Sequence, residues 1–417
     1  TVKDGGTLTL LTTPDQTQTY AQLNPVSVNV ENASTFATGP GSLGWWQNTA
    51  FNFTGGSGGG TMNFLGNPLS ASGATNTFST SGGATNTIIG VFNANSANVN
   101  FNLATATSGT TLLDGSFAAL AFTQSPTSTF GLGSGGDGAG TVNVMGGGHL
   151  LIKDKFKATN FNINAGNVQV GDGTAATAAS TPILDATNLG IATGSKLIFN
   201  RAEAYTNASV ITGTGSLIQA GAGTVTLTGN SSTFAGATTV NAGKTLAIGT
   251  GGSLGAAGST VTLADAASRL QFTGTTGVSV VGSTITGAGG VSQMGAGTTV
   301  LLADNNYLGT STVSGGALQV GNGGVTGTLG AGDVTLSNNA NLSYVLAEAT
   351  TIANNISGAG NVSAVITGTS SDLTVDHTIN LTNGTVNLVT DGNLFVTQAI
   401  STTNTSSSAV FLEAGKA

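Results

Sequence analysis

The sequence predicts an all-β chain folded as one elongated parallel β-helix, with a less regular N-terminal part. Three observations carry that prediction. Short runs alternate apolar and small polar residues, glycine or asparagine punctuates the runs, and a unit of about 72 residues recurs along the chain. The alternation is plain in Thr224-Val-Thr-Leu-Thr228, Thr260-Val-Thr-Leu263, Asp333-Val-Thr-Leu-Ser337 and Thr385-Val-Asn-Leu-Val389. Each puts its aliphatic residues on one face of a strand and Thr, Ser or Asn on the other. Glycine supplies the positive φ angles of the turns between them.

The segment 1–137 is the least regular. It holds ten of the 17 Phe, both Trp (Trp45-Trp46) and every Pro except Pro182. Strands are expected at Val26–Val30, Thr61–Phe64 and Asn98–Leu103, without the repeat. This segment reads as a cap continuous with the solenoid, its aromatics shielding an open edge; a separate small β domain is the alternative. Residues 138–417 form the repetitive part, with units starting near 138, 211, 285 and 356. Ile211-Thr-Gly-Thr-Gly-Ser-Leu217 matches Ile285-Thr-Gly-Ala-Gly-Gly-Val291 and Ile356-Ser-Gly-Ala-Gly-Asn-Val362. Gln219-Ala-Gly-Ala-Gly-Thr224 matches Gln293-Met-Gly-Ala-Gly-Thr298, and Thr239–Gly249 matches Thr312–Gly321. An earlier unit shows at Gly138–Val144 and Ile163–Gly171. Three turns of about 24 residues per unit would stack these copies in register. Val225, Leu227, Val240, Leu246 and Ile248, with their mates Leu301, Val313, Leu318 and Val320, are then expected to point inward.

Composition narrows the function. Of 417 residues only 6% are charged, 66 are glycine and none is cysteine. Mean hydropathy of +0.22 with 39% hydrophobic residues argues against disorder. The glycines lack a three-residue period, which excludes collagen, and no disulfide or cysteine-ligated metal site is available. A net charge of −8 with nine basic residues excludes nucleic acid as a partner. No apolar run reaches the roughly 20 residues of a membrane-spanning helix. The chain opens on Thr1 with no leader-like segment, so it reads as a piece of a longer precursor.

The unit Gly221–Gly249 carries more than periodicity. Its Gly-x-Gly-Thr strand, its turn with Phe234 and Gly236, and its Thr-Thr-Val-x-x-Gly ending resemble the passenger-associated repeat of bacterial autotransporters. The next copy has Tyr307 and Gly309 in the turn. The resemblance is strong over 211–321, fair over 138–171 and 322–366, and absent before about residue 130. It implies a right-handed β-helix exported through an outer-membrane β-barrel of its own precursor and displayed on, or released from, the bacterial surface. It fixes no activity, since such passengers include adhesins, self-associating proteins, proteases and toxins.

Residues with chemistry are few. Gly251-Gly-Ser253-Leu-Gly255 and Gly55-Gly-Ser57-Gly-Gly59 have nucleophile-elbow spacing but no following helix. Gly135-Gly-Asp137-Gly-Ala-Gly140 is a single calcium-turn-like segment, where such sites need adjacent copies. No metal site and no cofactor is expected. Asp372 and Asp376 are the candidate catalytic pair, sharing a strand face with Thr374 at about 13 Å between Cα atoms. That spacing exceeds the roughly 6.5–9.5 Å of inverting glycosidases. In His149-Leu-Leu-Ile-Lys153-Asp-Lys155-Phe-Lys157 the three lysines align with His149 on one strand face. They are a candidate site for an anionic ligand such as an acidic glycan. The chain is therefore expected to be no enzyme but an adhesin or self-association module. Its partners would be a second copy, or a glycan or protein on a host or environmental surface. A filament or surface-layer subunit, and a glycan-active β-helix enzyme using Asp372, Asp376 and Glu348, are the alternatives.

Overall fold

The computed structural model describes residues 141–145, 147–152, 155–175, 183–337, 339–369 and 371–415, and strand segments between Thr7 and Gly131. Among them there is no helix; every element is a strand. The chain is a parallel β-solenoid in which strands inside each sheet pair with strands about one turn earlier and later. Its contacts divide into two compact units, residues 1–223 and 224–417.

In the first unit one sheet runs through Thr7–Leu10, Thr35–Thr38, Thr61–Phe64, Asn86–Gly90, Thr110–Leu113, His149–Ile152, Asn167–Val170, Lys196–Phe199 and Ser216–Gln219. A second runs from Ser27–Glu31 through Asn98–Leu103, Thr141–Met145, Lys155–Ile163 and Ile183–Ile191 to Val210–Gly213. Strand Asn98–Leu103 pairs in parallel with Thr141–Met145, and Thr110–Leu113 with His149–Ile152. Trp45–Trp46 forms a short strand between Gln22–Leu23 and Leu69–Ser70.

In the second unit three strands make each early turn. The first face holds Val225–Leu227, Thr245–Ile248, Arg269–Phe272, Gly290–Gln293, Ser311–Val313, Val334–Leu336, Ile356–Gly358 and their successors. The second holds Asn230–Ser231, Ser253–Leu254, Val278–Val281, Thr298–Leu301, Ala317–Gly324, Asn341–Leu346 and their successors. The third holds Thr238–Val240, Thr260–Leu263 and Thr284–Gly287, and further along Thr350–Ile352, Leu373–Val375 and Leu394–Val396 form a separate three-stranded sheet.

The core is a set of columns. Val225, Leu246, Leu270 and Val291 are register partners on successive turns, and all four are fully buried. The inward expectation holds for Leu227, Val240, Ile248, Leu301, Val313, Leu318 and Val320 as well. Each such side chain contributes ~1.5–3 kcal/mol by leaving water. Gln293 and Ser311 enter the columns with partners, while the hydroxyl of Tyr344, which stands between Val320 and Ala364, has none among the described residues. Gln293 stands between Phe272 and Val313, and its Nε2 donates to the Gly295 and Gly297 carbonyls while its Oε1 accepts from Thr299. Ser311 shares a hydrogen bond with the buried Tyr307 hydroxyl.

The turns are shorter than the sequence suggests, and they are uneven. Val225 meets Leu246, Leu246 meets Leu270 and Leu270 meets Val291, and the middle step is the longest of the three. The repeat from Val225 to Thr299 therefore spans three turns plus one face. Val225 lies on the first face, and its repeat-mate Thr299 lies on the second, between Ser279 and Leu318. Thr239 on the third face has its mate Thr312 on the first. Successive copies do not stack; they advance around the solenoid.

Candidate functional site

Outward positions carry short polar side chains, and adjacent turns link them into ladders. In the first unit Asn162 donates to Asn143 at 3.0 Å, Asn188 to Asn160 at 2.9 Å and Asn52 to Asn29 at 2.8 Å. In the second unit one ladder climbs three turns from Asp333 through Asn355 to Thr378. A parallel one links Asn341, Asn361 and Thr385. Asn355 and Asn361 each donate one N–H down the ladder and accept from the backbone N–H and the hydroxyl of the Thr above, which leaves their second amide N–H for solvent or a partner. The strand spacing of about 4.8 Å repeats that offer at every turn.

The expected basic strip does not form as one strand. His149 belongs to the strand His149–Ile152 of one sheet, while Lys155 and Lys157 open the strand Lys155–Ile163 of another. The chain changes sheet between Ile152 and Lys155. Leu150, Ile152 and Phe156 are all buried as expected, so the inward parity runs unbroken across the change and hides it from the alternation. Lys153 lies outside the described residues, as does the segment 135–140. His149 is half-buried, its Nε2 has no partner among the described residues, and burial lowers its pKa from the ordinary value. Another basic residue, Arg201, is drawn inward and stacks over the Tyr205 ring at 4.8 Å. Burial pushes the Tyr205 hydroxyl up to about 12.

Asp372 and Asp376 flank the strand Leu373–Val375, outside the buried Leu373 and Val375. Their partners differ. Asp372 Oδ1 accepts the backbone N–H and the side-chain amide of Asn393, one turn on, at 2.7 and 3.1 Å. Asp376 shares a hydrogen bond with the adjacent exposed His377. Asp372 thus ties two turns together. Among the described residues no group of three His, Cys, Asp or Glu could hold a metal ion.

Two features went unread in the sequence. The Gln-x-Gly-x-Gly clasp was in plain view as Gln219 and Gln293, each followed by two glycines, without a role attached. The other is a groove of about 700 Å³ in the second unit, bordered by the turn Gly255–Gly258, by Val280 and Leu302, and by Asn322–Thr326. Ten of its fourteen lining residues are Gly, Ala, Ser or Thr, whose smallness leaves no sequence signature.

Comparison with known proteins now bears on this geometry. Residues 217–248 and 292–320 match the passenger-associated-transport-repeat family. The chain is also similar to the adhesin BmaC autotransporter of Brucella suis biovar 1 (strain 1330), 36% identical over 94 residues, covering 19% of this chain. The matched stretch spans 3% of that relative's length. No solved structure matches.

Proposed function

We propose that this chain, an autotransporter passenger domain, acts on the bacterial surface as an adhesin and self-association module. The observation that carries the reading is the pair of outward ladders, Asp333–Asn355–Thr378 and Asn341–Asn361–Thr385. Regularly spaced amides, hydroxyls and a carboxylate suit many weak hydrogen bonds to another extended surface, and multiplicity converts weak contacts into firm attachment. The adhesin name of the Brucella protein agrees with this. Asp372, held by Asn393, serves the scaffold in this reading, and the work of the passenger is binding. The experiment is display of the chain on cells that otherwise stay dispersed. Faster settling or new attachment to surfaces is expected, and replacement of Asn355 and Asn361 by Ala weakens it. Settling and attachment unchanged by display overturn the reading.

A further inference from the structure

We infer that the groove beside Val280 and Leu302, at the corner where the chain leaves the second face, is a binding site for a neutral oligosaccharide. It lies apart from the outward ladders and does not rest on them.

The groove follows from corners of unequal length. Ser231, Leu254, Val281, Leu301 and Val320 are register partners on successive turns of the second face. After Val281 the corner is only Gly282-Ser283 before the strand Thr284–Gly287 begins. On the turn before, the corner is Gly255–Ser259, and on the turn after it is Leu302–Thr310. One turn further, the strand Ala317–Gly324 shifts register after Val320. The short corner is therefore sunk between longer ones, which become walls. The lining runs over four steps between turns, from Ser232 to Thr326, or ~19 Å at about 4.8 Å per step. The volume of about 700 Å³ is that of a small-ligand site, which holds roughly 300–1,000 Å³. Gly324 keeps one wall back. Its φ lies outside the left-handed region and a Cβ there would meet nothing within 4 Å, so neither backbone nor packing in this chain demands a glycine.

The ligand class follows from the groups presented. Val280, 36% exposed, and the half-buried Leu302 offer apolar surface to the C–H face of a sugar ring. Polar groups with capacity to spare stand beside them. Asp304 Oδ1 accepts the Gly327 N–H at 2.9 Å, and the carboxylate keeps further lone pairs. Thr326 Oγ1 donates to the Leu302 carbonyl at 2.8 Å and can still accept. The exposed Asn322 carboxamide offers donors and an acceptor. Sugar hydroxyls, which donate and accept along a C–H framework, match this set. No Lys or Arg lines the groove, and a net charge of −8 repels an anionic sugar, so the ligand is neutral. An extended peptide finds no strand to extend, because Val278–Val281 pairs with Thr298–Leu301 on one side and meets Leu254 on the other.

The test is saturation-transfer NMR and titration of the full chain with cellotetraose, maltotetraose, mannotetraose and chitotetraose, and separately with heparin and with dephosphorylated casein peptides. At least one neutral oligosaccharide should bind at ~1 mM or tighter. Asn322→Ala removes the carboxamide and Gly324→Leu fills the groove; each should weaken that binding by about tenfold. Asn322 is exposed, so its variant keeps the wild-type melting temperature and carries the test even if Gly324→Leu lowers it. The ladder variant Asn355→Ala/Asn361→Ala should bind the oligosaccharide like wild type. No binding of any of the four, binding of heparin or the peptides instead, or binding unchanged by Asn322→Ala overturns the inference. A loss in the ladder variant equal to that in the groove variants also overturns it, since the sugar would then sit on the ladders. Settling of displayed cells answers separately: groove variants that lose the sugar yet settle like wild type support this site and leave self-association to the ladders.

Discussion

The two repeat copies in the second unit, around Val225–Gly249 and Thr299–Gly321, share a sequence pattern and occupy different faces. Leu227 and Leu301 are both buried, yet Leu227 stacks on Ile248 in one sheet and Leu301 on Val320 in another. The copies have also diverged in what they place inside. The first has Val225 where the second has Thr299, and Phe234 where the second has Tyr307. The repeat is therefore a unit of strand and turn chemistry, and the turn length decides where each copy lands. One consequence is that equivalent positions of the two copies do not line up along a face.

The largest effect should come from charge in the core, and it should be alike in both copies if the faces are equivalent. Leu227→Asp and Leu301→Asp each bury a carboxylate with no partner and should cost on the order of 4 kcal/mol or more. Local loss of amide protection in the turns above and below is the measurement, since a solenoid comes apart by neighbours. Thr226→Lys, half-exposed, should be near neutral, while its mate Val300→Lys should not, because Val300 is only 6% exposed. Equal melting temperatures for the Leu227 and Thr226 variants would break the assignment of faces.

Next in size are the glycines that open each unit. Gly287 and Gly358 have φ of +98° and +117°. A Cβ on either would sit 2.1 or 2.0 Å from the carbonyl oxygen of Leu263 or Leu336 on the preceding turn. Strain and clash act together, so Gly287→Ala and Gly358→Ala should each cost ~3 kcal/mol or more. Gly243, with φ of +67° and nothing near its Cβ position, should lose only ~1 kcal/mol as alanine. Thermal melts of the three variants give the order.

These residues also mark how far the sequence could be read. The inward set was legible because aliphatic alternation has a fixed period of two, and the repeat was legible because the turns need glycine at set places, as Gly287 and Gly358 do. Turn length was not. The step from Thr298 to its register partner Ala317 is shorter than the step from Ala317 to Asn341, as turns take up or drop residues at corners. The change of sheet between Ile152 and Lys155 was hidden because Leu150, Ile152 and Phe156 keep one parity through it. The ladders depend on which residues meet across turns of unequal length, so no local pattern announces them.

The glutamine clasp sharpens the comparison at a smaller scale. Gln293 donates to the Gly295 and Gly297 carbonyls and accepts from Thr299. Its mate Gln219 donates to Gly221 and Gly223, but its Oε1 has no partner among the described residues. Gln293→Leu orphans the Gly295 carbonyl and the buried Thr299 hydroxyl, while the Gly297 carbonyl keeps the Ala317 N–H, and should cost ~2–3 kcal/mol. Gln219→Leu orphans two carbonyls but relieves a buried oxygen, so its cost should be lower by ~1 kcal/mol. Unfolding in denaturant, followed for each variant, checks the difference; equal losses would mean that Thr299 adds nothing.

The smallest expected effect separates the copies by pH. Phe234 and Tyr307 are both fully buried, and only Tyr307 can titrate. Burial raises the Tyr307 pKa above its ordinary value of 10.0, and the hydrogen bond with Ser311 offsets part of that rise. The folded chain then holds this proton where the unfolded chain has begun to lose it. The associated stability is fully present below pH ~10 and is lost as pH rises from there toward the folded pKa. Tyr344 is shifted the same way, by burial and by its proximity to Tyr307, so the alkaline loss is shared. Tyr307→Phe should therefore lower stability at neutral pH by ~1 kcal/mol, the worth of the Ser311 bond. The same change should make the fall in melting temperature between pH 9 and 11 shallower without abolishing it. Phe234→Leu, which carries no proton, should leave that slope as it is. An unchanged slope in Tyr307→Phe would mean that the hydroxyl already ionises in the folded chain, and the core around the second copy would then be wetter than its burial implies.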